Sequence, residues 1–166
     1  MLTLKRTSNN KIMVIGLFGT CGTSTWRIPF MTAYDAAGIS YFNPQVENWS
    51  PECADIEARH LAKDEIILFP VTAETYGLGS LAESGFSILQ VLRSLKQRHL
   101  IIMIDPLPDE TLRADEKLFK ESQRARTLVL AHLSKLSIPN VSIVQSLDEM
   151  YECSLWVVQN AKDLAA

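Results

Sequence analysis

The sequence has few of the features that mark a secreted, metal-binding or nucleic-acid-binding protein. It has only three cysteines in 166 residues, and an odd, widely spaced set fits reduced thiols better than a disulfide framework. Neither the cysteines nor the three histidines follow a metal-ligand spacing, so we expect no metal. The formal net charge is −3 and no Lys/Arg cluster interleaves with aromatics, which argues against a nucleic acid polymer as partner.

Long apolar runs are also missing. No run approaches the roughly 18 residues of a membrane span, and the N-terminal stretch MLTLKRTSNNKIMVIGLF lacks a cleavage pattern. We therefore expect no signal peptide, no membrane partner and a cytoplasmic protein. There is no internal repeat or obvious linker, and 47% of the residues are hydrophobic, so we expect a single domain over residues 1–166.

What the sequence does contain is a series of short apolar runs separated by helical patterns. Runs rich in Ile, Val, Leu and Phe without strict alternation are typical of strands buried on both faces. Five alternations of strand and helix predict an α/β fold, a flavodoxin-like three-layer domain with a five-stranded parallel sheet. The runs begin at Ile12, Ile39, Glu65, Leu100 and Val141, and the helical patterns cover residues 25–37, 51–62, 81–97, 115–136 and 147–162.

The loop FGTCGTSTWR follows the first predicted strand. In parallel sheets ligands bind beyond the carboxyl ends of the strands, so this loop is a candidate binding segment. Gly19 and Gly22 let the backbone approach a ligand, while Thr20, Ser24 and Arg27 supply donors. Such donors suit a ribose hydroxyl or a phosphate. The alternative is an ordinary helix cap with a turn glycine.

The segment TAETYGLGSLAESGFSIL follows the third main strand and carries the first candidate acid. We predict Ser80 as the N-cap of a helix in which Glu83 is the third residue, a capping-box arrangement. The helix N-terminus would then keep the Glu83 carboxylate ionised, as a nucleophile requires. The alternative is that Glu83 only caps the helix.

A second acid comes from the helix predicted in SPECADIEARHLAKDE. Glu57, His60 and Asp64 lie near one face of it through spacings of three and four. Glu57 could point to the same crevice as Glu83, and the alternative is an exposed salt bridge with His60 or Lys63. We expect Asp64 to be a solvated helix terminus.

Three other side chains can be interpreted from the sequence, Trp49 in two ways and the two arginines in one. Trp49, in VENWSPEC, is either a lid or stacking residue or a core residue. Arg124 and Arg126, in KESQRARTLV, are expected on a solvated helical face.

Taken together, GTCGTSTWR, YFNPQVENWSPEC, IEARHLAKDEIILFPVT and GLGSLAESGFSI resemble the nucleoside 2-deoxyribosyltransferase family and its nucleotide N-glycosidase relatives. The likeness is closest to a bacterial and phage branch and covers roughly residues 12–89. It implies a flavodoxin-like enzyme that needs no cofactor. Such an enzyme cleaves the N-glycosidic bond and transfers the 2-deoxyribosyl group between nucleobases through a covalent intermediate on a glutamate, here Glu83.

The resemblance also implies substrates, contacts and a partner. The substrates are 2'-deoxynucleosides or deoxynucleotides and free nucleobases, and the partner is a second copy in a homo-oligomer. A second acid, Glu57 or less convincingly Asp55, orients the deoxyribose or handles the base. Family members carry an Asp six positions before the nucleophile, where this sequence has Gly77. The implied substrate-binding residues are Gly19, Thr20, Gly22, Ser24, Arg27, Asn43, Trp49, Gly79 and Ser80.

Two other functions remain open from the sequence. Relatives that hydrolyse 2'-deoxynucleoside 5'-monophosphates hold the phosphate with a serine near the same helix start, which Ser80 matches. A non-catalytic nucleotide-binding sensor would use the same pocket without turnover.

Overall fold

The structure is a computed structural model that describes residues 13–48, 50–94 and 98–163, with side chains described up to residue 160. The predicted strand start at Ile12 and the predicted helix end at 95–97 lie outside the described residues. The strands are Val14–Leu17 (β1), Ser40–Phe42 (β2), Ile66–Val71 (β3), His99–Ile104 (β4) and Val141–Val144 (β5). The helices are Arg27–Ala37 (α1), Pro51–Lys63 (α2), Leu78–Arg93 (α3), Glu116–Leu133 (α4) and Leu147–Asp163 (α5), with a short 3₁₀ helix at Glu110–Ala114.

The five strands form one parallel sheet in the order β2-β1-β3-β4-β5. This is the flavodoxin-like order, and the prediction of fold class is confirmed. Each connection between parallel strands is a right-handed crossover, so its direction along the sheet decides which face its helix covers. The chain moves in one direction from β1 to β2 and in the opposite direction from β2 onwards, and the helices of these connections therefore cover opposite faces. The order reverses between β1 and β3, and a crevice therefore opens at the carboxyl ends of these two strands.

Alternate residues of each strand face two separate apolar clusters. Ile15 and Leu17 pack with residues of α1 and α5, among them Tyr34. Ile67 and Phe69 pack on the other side with residues of α2, α3 and α4. Since the strands are covered on both faces, nearly every residue of β3 and β4 is buried. The helical layers are thus α1 and α5 on one face and α2, α3 and α4 on the other.

The start of α3 differs from the prediction. The helix begins at Leu78, and its N-cap is Gly77 in a left-handed conformation with φ 68°. The Leu81 amide already donates to the Gly77 carbonyl at 2.8 Å, which closes the first helical turn. The prediction of Ser80 as N-cap is therefore wrong. Glu83 becomes the sixth helical residue, beyond the turn where the helix dipole stabilises a carboxylate most.

The C-terminus of α2 also differs from expectation. Asp64 is 4% exposed, so the prediction of a solvated terminus is wrong. Its carboxylate pairs with His60 Nδ1 at 2.9 Å, and the His60 ring stacks on Phe42 at 3.6 Å between ring centroids. Buried Arg98 donates to the Leu61 and Asp64 carbonyls at 2.6 and 2.7 Å. A cation at a helix C-terminus offsets the partial negative charge of its carbonyls.

No helix in the described ranges is both long and apolar enough to cross a membrane. The three cysteines Cys21, Cys53 and Cys153 form no disulfide with one another in the structure.

Candidate functional site

The loop after β1 is bonded to the loop after β3, and Thr20 makes the connection. The Thr20 amide and hydroxyl donate to the Pro70 carbonyl at 2.8 and 3.2 Å. The same hydroxyl accepts the Thr72 amide at 2.9 Å. Thr20 is only 1% exposed. In this arrangement its side chain fixes the two loops to each other, and a direct contact with substrate stays a prediction.

The two glycines of the first loop differ in their surroundings. Gly19 has φ +91°, and a Cβ there would lie 2.3 Å from the Pro70 carbonyl oxygen, so the position requires glycine. Gly22 has φ +73° but opens onto free space. Gly22 is exposed, and its carbonyl accepts the Gln45 side-chain amide at 2.8 Å. The loop tip at Gly22 is therefore the part where a ligand can approach the backbone.

Arg27 is buried beneath the first loop rather than projecting from it. Its Nε donates to the Leu17 carbonyl at 2.8 Å, and Nη1 donates to the Thr20 carbonyl at 2.6 Å. The guanidinium also lies 4.6 Å from the centroid of the Trp26 ring, a cation–π contact. Burial lowers the pKa of Arg27, while Cys21 and Glu57 act in the opposite direction. Arg27 thus holds the loop, and its predicted role as a substrate contact is not tested by this geometry.

Ser24 and Thr72 converge on Glu74, an acid that sequence reasoning did not single out. The Ser24 hydroxyl donates to the Glu74 carboxylate, and the Thr72 hydroxyl donates to the same oxygen at 3.0 Å. Ser24 is 3% exposed, whereas Glu74 is exposed. The signal in the sequence that could have identified Glu74 is its position as the first acid after β3. The arrangement presents a fixed carboxylate oxygen at the carboxyl edge of the sheet.

The two predicted acids, Glu57 on α2 and Glu83 on α3, belong to helices that contact each other. Glu83 is exposed and Glu57 half-buried. The surrounding protein displaces enough water to raise the pKa of Glu83, and the negative charge of Glu57 raises it further. The charge of Glu57 also reaches Arg27. These three residues therefore form an electrostatically connected group, whereas Asp55 is exposed on α2.

The remaining predicted contacts are in different surroundings. Gly79 is exposed and Ser80 half-exposed, both in the first turn of α3. Asn43 is occupied in a turn, because its side-chain oxygen accepts the Gln45 amide at 3.0 Å. Trp49 lies outside the described residues. Their roles stay predictions.

Arg126 underlies the loop that leads into α3, contrary to the prediction of a solvated residue. It is fully buried. Its guanidinium donates to the carbonyls of Thr72 and Thr75 at 2.9 and 2.8 Å, and to those of Val71 and Asp105 at 3.1 and 2.9 Å. These carbonyls end β3 and β4 or follow them, so one cation organises the loops at the carboxyl edge. Arg124 is exposed, as predicted, and pairs with Glu121.

A cleft of about 470 Å³ lies at the same edge of the sheet, on the side of α1 and α5. It contains three acids that were not predicted as site residues, Glu74, Asp105 and Asp148. Asp105 is fixed there because it accepts the Ala73 amide at 2.7 Å. The complete lining is Thr25, Trp26, Pro29, Thr72, Ala73, Glu74, Met103, Asp105, Gln145, Ser146, Leu147 and Asp148. Glu57 and Glu83 belong to helices of the opposite layer and do not line this cleft.

Comparisons with known proteins add no assignment. A scan against models of protein families finds no match to the chain, and a search of curated proteins also finds none. Within the described part of the chain, no three His, Cys, Asp or Glu side chains are grouped so that they could hold a metal ion. The reasoning about function therefore rests on the motifs and on the geometry above.

Proposed function

We propose that this protein cleaves the N-glycosidic bond of 2'-deoxynucleosides and transfers the 2-deoxyribosyl group to another nucleobase through an ester on Glu83. The observation that carries the proposal is that Glu57 and Glu83 lie on two helices in contact, where the charge of Glu57 adds to the desolvation that raises the pKa of Glu83. Two neighbouring carboxylates, one perturbed in pKa and accessible to solvent, are the groups that glycosidic cleavage uses. The motif resemblance supports the same assignment of Glu83 as nucleophile.

The chemistry follows from the two carboxylates. A Glu83 oxygen bonds to the anomeric carbon as the bond from that carbon to the base nitrogen breaks. The base leaves with the electron pair and takes a proton, which Glu57 supplies. An acceptor base then attacks the anomeric carbon, releases the Glu83 carboxylate and returns a proton to Glu57. Two displacements at one carbon give net retention.

The environment of Glu83 suits this role. Partial removal of water makes its carboxylate a stronger base and nucleophile than a fully hydrated one, because less hydration must be lost on reaction. The negative charge of the Glu83 carboxylate itself favours the positive charge that develops on the sugar before the ester bond forms.

The experiment is a chromatographic exchange assay. Each 2'-deoxynucleoside is incubated with a different free base, and each deoxynucleoside monophosphate is incubated alone. Glu83→Gln removes the nucleophile and keeps the shape, and we expect no new nucleoside from it. We expect Glu57→Gln to slow exchange by ~10²–10⁴-fold, the usual contribution of a general acid or base. Asp148→Asn, in the cleft on the other face, is the matched control and should retain exchange.

The outcomes separate the proposal from its alternatives. Acid-quenched wild-type protein should carry one 2-deoxyribosyl group on the peptide that contains Glu83. Free base from monophosphates alone, abolished by Ser80→Ala, would replace transfer by hydrolysis. Binding of nucleotides without any product would favour a sensor. Exchange that survives Glu83→Gln but is lost in Asp148→Asn would move the reaction to the cleft and refute the proposal.

A further inference from the structure

The cleft on the α1 and α5 side of the sheet is a cavity that the proposed reaction does not use. It has a volume of about 470 Å³ and lies at the carboxyl edge of the sheet, where parallel α/β folds bind their ligands. Sites for small molecules usually have about 300–1,000 Å³ and apolar walls with a few fixed polar groups. The cleft has the volume of such a site, and its lining decides which ligand chemistry it fits.

The inner part of the cleft is apolar. Trp26 and Met103 line it and are 3 and 2% exposed, so they form its least accessible part. Pro29 of α1 and Leu147 of α5 also line it and are more accessible. The Trp26 ring is held in place because its indole nitrogen donates to the Thr20 carbonyl at 2.9 Å. The cleft therefore removes an apolar chain or ring of a ligand from water.

Three acidic side chains, Glu74, Asp105 and Asp148, line the same cleft, each from a different segment of the chain. Protein donors hold Glu74 Oε2 and Asp105 Oδ2 in place. Among the described residues, none donates a hydrogen bond to the other oxygen of these two carboxylates. The described residues that line the cleft include no Lys, Arg or His. A ligand in the cleft thus meets available acceptors and no basic side chain.

Other charges at this edge of the sheet reduce the negative charge but do not cancel it. α1 and α5 begin at the cleft, and their two N-termini offset roughly one carboxylate, since each carries about half a positive charge. Buried Arg126, whose charge reaches Asp105, offsets another. The Glu149 carboxylate adds a negative charge where it accepts the Gln145 amide at 2.8 Å. The balance is about two negative charges, which favours a cationic ligand and disfavours a phosphate.

A metal ion does not fit this set of acids. Within the part of the chain that the structure describes, no three acidic side chains are grouped so that they could hold one ion. The carboxylates therefore act at separate points, and a ligand matches them when its positive centres are separated as well. Ammonium groups spaced along a methylene chain have this arrangement, and the methylene groups suit the apolar inner part of the cleft.

We propose that this cleft binds a linear aliphatic polyamine. Its ammonium groups donate to the available oxygens of Glu74 and Asp105, and its methylene groups pack against Trp26 and Leu147. Because Glu74 is exposed, solvent and salt screen part of the attraction, so binding weakens as salt is added. The proposal does not rest on deoxyribosyl transfer, since Glu83 does not line this cleft.

The test is isothermal titration calorimetry of the full chain at low salt with spermidine, putrescine, butanediol and Mg²⁺ as probes. We expect spermidine to bind with a dissociation constant below ~1 mM, more tightly than putrescine and about 10-fold or more tightly than butanediol or Mg²⁺. Glu74→Gln and Asp105→Asn keep an oxygen for the protein donors and remove the charge. Each should weaken spermidine binding about 10-fold or more. Glu121→Gln, exposed on α4 in the opposite layer, changes the net charge equally and should bind as the wild type does.

A second variant blocks the cavity without changing its charge. Thr25 is exposed and lines the cleft, so Thr25→Trp fills the space and leaves every acid in place. We expect it to abolish spermidine binding while the melting temperature stays close to that of the wild type. Glu83→Gln should bind spermidine normally, which separates this result from that of the exchange assay.

Three results would overturn the proposal. The first is the absence of spermidine binding at ~5 mM, a concentration well above the expected dissociation constant. The second is binding that Mg²⁺ matches or that Glu121→Gln weakens as much as Glu74→Gln, because the attraction would then be that of the overall charge. The third is binding that survives Thr25→Trp, because the amine would then lie outside the cleft.

Discussion

Replacement of Arg126 by methionine tests whether one buried cation organises the carboxyl edge of the sheet. The guanidinium is fully buried and donates to the carbonyls of Val71, Thr72, Thr75 and Asp105. Methionine keeps most of the volume and apolar stem but has no donor. The variant therefore removes the hydrogen bonds while it leaves the packing of α4 largely in place.

The expected loss of stability can be worked from these contacts. The Val71 carbonyl also accepts the Asp105 amide at 2.9 Å, so it keeps a partner. The Thr72 carbonyl is buried, and leaving it without a donor lowers the free energy of unfolding by about 1–3 kcal/mol. The Thr75 and Asp105 carbonyls are partly accessible to water, and the loss of each hydrogen bond lowers the free energy of unfolding by about 0.5–1.5 kcal/mol. Relief from burying a charge, whose desolvation lowers the Arg126 pKa, offsets part of this. We expect a net loss of about 2–4 kcal/mol.

Urea unfolding followed by tryptophan fluorescence measures this difference, and thermal unfolding should show a melting temperature lower by roughly 5–15 °C. Arg124→Met is the matched control, because its side chain is 80% exposed two positions away on α4. We expect it to change the free energy of unfolding by less than about 0.5 kcal/mol. If Arg126→Met and Arg124→Met were equally stable, the carbonyls would not depend on the guanidinium and the reasoning would be refuted.

Two further predictions concern the first loop and the paired acids. Gly19→Ala should lower the free energy of unfolding by more than about 2 kcal/mol, because it adds a positive-φ penalty to the close approach to the Pro70 carbonyl. Gly22→Ala, with positive φ but open space, should cost about 1–2 kcal/mol in the same denaturation assay, and equal losses would contradict the packing argument. Glu57→Gln should lower the pKa of Glu83, because desolvation remains but the like charge is gone. Carbon-13 NMR titration of the Glu83 carboxyl measures this shift toward lower pH, and high salt should reduce the difference between variant and wild type. An unchanged titration would mean that the two carboxylates do not interact.

The sheet could be predicted from the sequence because strands buried on both faces appear as continuous apolar runs. β4 and β5 begin within one residue of the predicted starts at Leu100 and Val141. Their order follows from the handedness of the crossovers. The start of α3 was not predictable in the same way. The Ser-x-x-Glu pattern indicated a cap at Ser80, whereas the left-handed conformation of Gly77 allows the helix to begin earlier.

The scaffold of the candidate site was harder to predict than its acids. Both arginines of α4 were predicted to be solvated, but helical spacing places Arg126 on the buried face with Phe119 and Ser122, and its carbonyl partners at the ends of β3 and β4 keep it there. Glu74 has no local motif, because its two hydroxyl donors come from different loops. Interactions between distant segments set the role of Glu74, and spacing along one segment does not encode it.

Glycine at position 77 is required by the contacts that this position makes with Val71 and Arg126. Gly77 has φ +68°, and a Cβ there would lie 2.7 Å from a Val71 methyl carbon and 2.8 Å from an Arg126 guanidinium nitrogen. An aspartate at this position would strain the backbone and draw the guanidinium away from the carbonyls it holds. The second carboxylate of the proposed site must then come from another element. Glu57 on α2 meets this need, because its charge reaches Glu83 without disturbing the loop after β3.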